Sequence, residues 1–133
     1  MTWDGRQPST GGGYAATASI GSTSVGVAGA GYGAALTFTS RGPAEWLLLN
    51  ITGELFQVSP NAYAVWKGLY LDGASVQTTV CHWITTGTWH DFSLTKVVNG
   101  LSAGQHTLQL TLAAEAATTL QGDWHLNVAR LSA

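Results

Sequence analysis

QHTLQLTLA, residues 105–113, places Leu108, Leu110 and Leu112 on one face of an extended chain and Thr107, Gln109 and Thr111 on the other. Successive side chains of a strand point to opposite faces, so this alternation describes a half-buried β-strand. Upstream, WLLLNITGELFQV (46–58) repeats the pattern, with Leu47, Leu49, Ile51 and Leu55 on one side and Leu48, Asn50, Thr52 and Glu54 on the other. Gly53 is expected to mark a bulge or bend there. LTFTS (36–40), YAVWKGLYL (63–71), VQTTVCHWI (76–84), WHDFSLTKVV (89–98) and DWHLNVARL (123–131) read as further strands. Between them lie turn signals: RGP (41–43), SPN (59–61), TTG (85–87), NGLSAG (99–104) and, most specific, the hairpin pair Asp72-Gly73. EAATTLQG (115–122) reads as a loop, and LAAEAA (112–117) is too short for a helix of its own.

Residues 14–33 are small and Gly-rich and alternate only weakly, which suggests edge strands or loops. The pattern predicts an all-β fold: a two-sheet antiparallel, jelly-roll-type sandwich of about eight or more strands. One domain spans 14–133. Residues 1–13, which include PSTGGG and Trp3, read as a flexible N-terminal arm, and Trp3 is its candidate contact with a neighbouring subunit.

Of the 133 residues, 45% are hydrophobic and only 9% are charged, against roughly 25% in an ordinary soluble domain. The surface must be built largely from Thr, Ser, Gln, Asn and Gly. Such a surface is expected where neighbours cover it or where a neutral ligand is read. The net charge of −2 offers nothing to draw nucleic acid or an anionic membrane. A single cysteine, Cys81, excludes an internal disulfide. No apolar h-region follows Met1, and no apolar run approaches the ~20 residues of a spanning helix, so neither a leader nor membrane insertion is expected.

Catalytic chemistry finds little support in the residues. The G-x-S-x-G elbow is absent. Cys81 and His82 are strand neighbours and therefore diverge. GAGYG (29–33) lacks the spacing of a nucleotide fingerprint. His82, His90, His106 and His125 form no HxH or HxxxH pair and read as polar residues at a sheet surface, so neither metal nor cofactor is expected. The Asn50-Ile51-Thr52 sequon lies inside a strand. Two facing carboxylates about 5–10 Å apart in a cleft would be the sign of a hydrolase.

The surplus lies in six tryptophans. Trp has a large apolar face and an N–H handle, which suits it to cores, interfaces and sugar platforms. Trp124 and one of Trp66 or Trp83 are expected in the core. Trp89, opening a strand after a turn, is expected at the rim.

The stretches TTGTWHDFSLTKVVNGLSAGQHTLQLTL (85–112) and WHLNVARL (124–131) resemble the galactose-binding-like jelly rolls, notably family 6-type carbohydrate-binding modules. The resemblance implies a rim tryptophan at Trp89 and a sugar-contacting asparagine near Asn127, with Trp83 and Tyr63 as further candidates. The N-terminal half departs from that family, with no opening acidic calcium motif. LYLDGA (69–74) and SLTKVVNGLSAGQHTLQL (93–110) are also similar to small sandwich proteins of tailed bacteriophage particles: minor tail, fibre-associated and capsid-decoration proteins. That likeness implies a non-catalytic structural or attachment protein on a virion surface, assembled in the host cytoplasm. Its partners would be other virion proteins or copies of itself, and it could recognise neutral host glycans. A free or appended carbohydrate-binding module, working extracellularly, is the alternative.

Overall fold

A computed structural model describes residues 13–58, 63–84 and 87–131, with the side chains of residues 18–22, 30–34 and 79–84 outside that description. The proposed arm up to residue 12, Trp3 included, also lies outside the described residues. Eight strands follow one another: β1 (Tyr14–Val25), β2 (Ala30–Ser40), β3 (Leu47–Gln57), β4 (Tyr63–Leu71), β5 (Ala74–Ile84), β6 (Trp89–Val98), β7 (Gly104–Ala114) and β8 (Thr118–Arg130). They form two antiparallel four-stranded sheets, A in the order β1-β8-β3-β6 and B in the order β2-β7-β4-β5. This interleaved order is that of an eight-stranded jelly roll.

Period-two burial holds the layers together. Leu47, Leu49, Ile51 and Leu55 of β3, Leu108, Leu110 and Leu112 of β7, and Trp124, Leu126 and Val128 of β8 meet in one dry interior. Each aliphatic side chain buried there is worth about 1.5–3 kcal/mol. Trp124 is fully buried at the centre. Gly53 has a different role from the expected bulge. The β3 pairing runs without a register shift on both flanks. A Cβ at Gly53 would lie 2.8 Å from that of Trp124, so the glycine leaves room for the indole's strand. The breaks in register fall instead in the Gly-rich edge strands β1 and β2, between Ile20 and Thr23 and between Tyr32 and Leu36, and in the β4–β5 pairing, between Tyr63 and Val65 and between Leu69 and Tyr70. The expected loop at 115–122 is also corrected: β8 begins at Thr118, whose side chain is buried like that of Leu120.

The β4–β5 hairpin closes on Asp72-Gly73, both at positive φ (50° and 84°), as a two-residue turn of that type requires. Asp72 then reaches back to β7. Its carboxylate accepts from the Thr107 N–H at 2.8 Å and from His106 Nδ1 at 2.5 Å. His106 was expected on a sheet surface, but it turns inward, 8% exposed, and stacks on Phe38. Its Nε2 lies 2.8 Å from the Ser102 carbonyl. A carboxylate and a carbonyl can only accept, so both ring nitrogens are satisfied only in the imidazolium.

The bond to Asp72, then that to Ser102, raises the His106 pKa above 6.5. Burial would push the Asp72 carboxyl up, but the bonds from His106 and Thr107 outweigh it and hold the group below 3.8. A raised histidine pKa gives stability that is complete below its unfolded value and lost as pH rises through its folded value. A depressed carboxyl gives stability that is lost as pH falls through its own folded value. The clamp is therefore strongest in mildly acidic solution. Because Asp72 is 43% exposed, solvent screening keeps the effect modest. In thermal melts, the midpoint of the wild type is expected to fall between about pH 6 and pH 9. His106→Gln should flatten that slope.

Candidate functional site

Both sheets turn an outer face to solvent, and the two faces differ in chemistry. On sheet A the side chains line up in rungs. At one end Leu48 stands between Val97 and Ala129, and the next rung brings Trp46 beside Leu131, whose N–H donates to the Trp46 carbonyl. Trp46 is 46% exposed, and Val97 and Leu131 are exposed too. The middle rungs are neutral. Asn50 lies between Thr95 and Asn127 and donates to the Leu94 carbonyl and the Thr95 hydroxyl, while Asn127 donates to the Asn50 Oδ1. The sequon asparagine is thus tied into the sheet.

Further along, Glu54 lies directly opposite both Asp91 and Asp123, which form one side of a depression of about 460 Å³. All three carboxylates are exposed. Like charges directly opposite are unfavourable in a sheet. Among the described residues no group of three or more His, Cys, Asp or Glu side chains could hold a metal ion. The sheet ends in Phe56 and Trp89, opposite each other with ring centroids 5.1 Å apart.

The sugar-site candidates are scattered. Trp89 is 47% exposed at the start of β6, at the sheet margin. Asn127 lies on the same face but six residues along from Gln121, which shares the Phe56 rung, a separation of roughly 20 Å. Tyr63, half-buried, opens β4 in the other sheet. Trp83 belongs to β5, and its side chain lies outside the described residues. Trp89 and Asn127 therefore do not converge on one small ligand.

Sheet B supplies what the sequence did not single out. Trp66, a core candidate by sequence, is 39% exposed on the outer face of β4. Tyr70 stands four residues on, and Gly68 lies between them, flanked by Thr78 of β5 and Thr111 of β7. Trp66, Tyr70, Thr78 and Thr111 line a groove of about 480 Å³. Both faces of β4 carry apolar residues, so period-two reading gave no way to tell in from out.

No protein-family model matches the sequence. No curated protein matches it. Solved structures do match. A chain of infectious bursal disease virus, Gx strain, gives a TM-score of 0.51 at 13% identity over 97% of this chain and 36% of that one, so this chain spans about a third of its length. A protein of Bacillus endospore appendages, described as disulfide-linked pili, gives 0.46 at 14% identity over 99% and 100%. The CBM36-1 domain of a multidomain xylanase from the hindgut metagenome of Trinervitermes trinervoides gives 0.42 at 13% identity over 86% and 95%. The strand order makes the chain a jelly roll, and its fold is similar to that of the infectious bursal disease virus chain. No helix of the described residues is long and apolar enough to cross a membrane.

Proposed function

We propose that this chain is a non-catalytic structural and attachment subunit, and that its setting is the surface of a tailed-bacteriophage particle, as a tail-associated or capsid-decoration protein. The observation that carries the structural role is the apolar end of sheet A. Exposed Trp46, Val97 and Leu131 and half-buried Leu48 stand on adjoining rungs. An indole among aliphatic residues is the composition of an interface centre rather than of a solvated face. The strand beside it, β6, is an edge strand, so one side of its backbone is unpaired within its sheet and open to a neighbouring chain. In a chain with only 9% charged residues, the surface has little else to keep neighbours apart. Jelly rolls serve viral capsids and lectins alike, which fits the setting.

The test is association in solution. The wild type is expected to self-associate, or to bind particle subunits, in sedimentation velocity. A paired Trp46→Ser and Val97→Lys variant should sediment as a monomer with an unchanged melting temperature. A wild type that stays monomeric at millimolar concentration and binds no particle subunit overturns the reading, as does a variant that associates normally.

A second reading, a carbohydrate-binding module, is favoured by one observation: the uncharged groove beside Trp66.

A further inference from the structure

We infer that the outer face of sheet B holds a binding site for a neutral oligosaccharide, with Trp66 as its stacking platform. The inference rests on the carbohydrate-binding reading and is independent of assembly through sheet A. It also places the site away from Trp89 and Asn127.

The geometry follows from strand periodicity. Trp66, Gly68 and Tyr70 occupy successive outward positions of β4, so two aromatic side chains stand on either side of a residue that has none. Laterally, Gly68 pairs with Thr78 on one flank and Thr111 on the other. The Thr78 and Thr111 side chains close over Gly68, so the groove runs low between the two aromatic rings. That low step is built in. A Cβ at Gly68 would lie 2.8 Å from the Thr111 methyl, 3.0 Å from the Thr78 methyl and closer still to the Gln77 carbonyl. No larger residue fits there without moving the neighbouring strands.

The lining chemistry names the ligand class. Its groups are an indole, a phenol and the hydroxyls of Ser75, Thr78 and Thr111, and no charged residue lines the groove. Phosphate, nucleotide and acidic peptide ligands all need a cationic partner that the groove does not offer. A purely apolar ligand would leave the hydroxyls without partners at a cost. A pyranose meets both demands: its C–H face lies on an aromatic ring, and its hydroxyls both donate to and accept from Ser, Thr and Tyr. The volume of about 480 Å³ falls within the roughly 300–1,000 Å³ of small-ligand clefts. From Trp66 to Tyr70 the strand rises about 14 Å, more than one sugar ring covers, so short oligosaccharides should bind more tightly than monosaccharides.

The experiment is an array of neutral gluco-, galacto-, manno- and xylo-oligosaccharides probed with the full chain, followed by calorimetric titration of the strongest binder. Wild type, Trp66→Ala, Tyr70→Phe and Trp89→Ala are compared, with thermal melts to show that each is folded. Trp66→Ala is expected to weaken binding about tenfold or more, as removal of a central Trp does at other sites. Tyr70→Phe should weaken it less, and Trp89→Ala should leave it unchanged. An array with no bound sugar overturns the carbohydrate reading and the site together. Binding that survives Trp66→Ala but is lost in Trp89→Ala keeps the carbohydrate reading and overturns this site.

Discussion

Glu45→Ala is expected to lower the unfolding free energy by about 3–5 kcal/mol, the usual result of removing one partner of a buried ion pair. Both side chains are buried: 4% of Glu45 and 9% of Arg130 is exposed. Glu45 Oε2 accepts from Arg130 Nε at 2.9 Å, and Oε1 accepts from the Arg41 N–H at 3.0 Å. Arg130 also donates to the Thr39 carbonyl at 3.0 Å and lies over the Tyr14 ring. One guanidinium at the end of β8 thus joins the start of β1, the end of β2 and the turn before β3. Removing the carboxylate takes from that cation its charged partner at 2.9 Å. Glu45→Gln keeps an acceptor and should lose less. A Glu45→Leu, Arg130→Met pair removes both charges and should recover much of the loss. Chemical denaturation of the four proteins measures the set. An unchanged midpoint in Glu45→Ala would show that the pair does not hold these strands together.

The second large effect is expected from Gly53→Ala. The added methyl would lie 2.4 Å from the Asp123 carbonyl oxygen and within 3 Å of the Cα and Cβ of Trp124. These atoms belong to the backbone of β8, which is held between β1 and β3 and has little room to yield. Overpacking of this kind costs about 1–3 kcal/mol, and this site belongs at the upper end. Gly26→Ala is the control, because nothing lies within 4 Å of its Cβ. A combined Trp124→Ala, Gly53→Ala protein should not regain stability. The carbonyl clash persists, and the lost indole costs about 3–5 kcal/mol by itself. Thermal and urea melts give the ranking, and near-equal stabilities for Gly53→Ala and Gly26→Ala would refute it.

Much of the fold was legible because burial here follows a period of two. Leu47, Leu49, Ile51 and Leu55 face inward as their alternation predicts, and Asp72-Gly73 closes a hairpin. Trp89–Val98 runs between the bounds read from the turns. What stayed hidden depends on partners distant in sequence. Gly53 looked like a bend because its reason is Trp124. His106 looked like a surface residue because its acceptor is a turn aspartate beyond two intervening strands. The start of β8 looked like a loop because Gly122 reads as a turn, although a Cβ there would collide with the Glu54 carbonyl. The candidate site was least legible. Trp89 and Asn127 came from a resemblance in local sequence, whereas the Trp66 groove needs three strands side by side before it exists.

The interleaving of the strands carries a consequence for synthesis. Only β4 and β5 pair with a neighbour in sequence, and β1 pairs with β8, the last of the eight strands. A chain growing from its N-terminus cannot complete sheet A until β8 leaves the ribosome. Until then β1 has no partner strand and β3 lacks one of its two, and long-range pairing of this kind is slow. Emergence of β8 should therefore set the moment at which sheet A closes, and in ribosome-stalled chains ending before residue 118 the β1 segment should remain protease-sensitive.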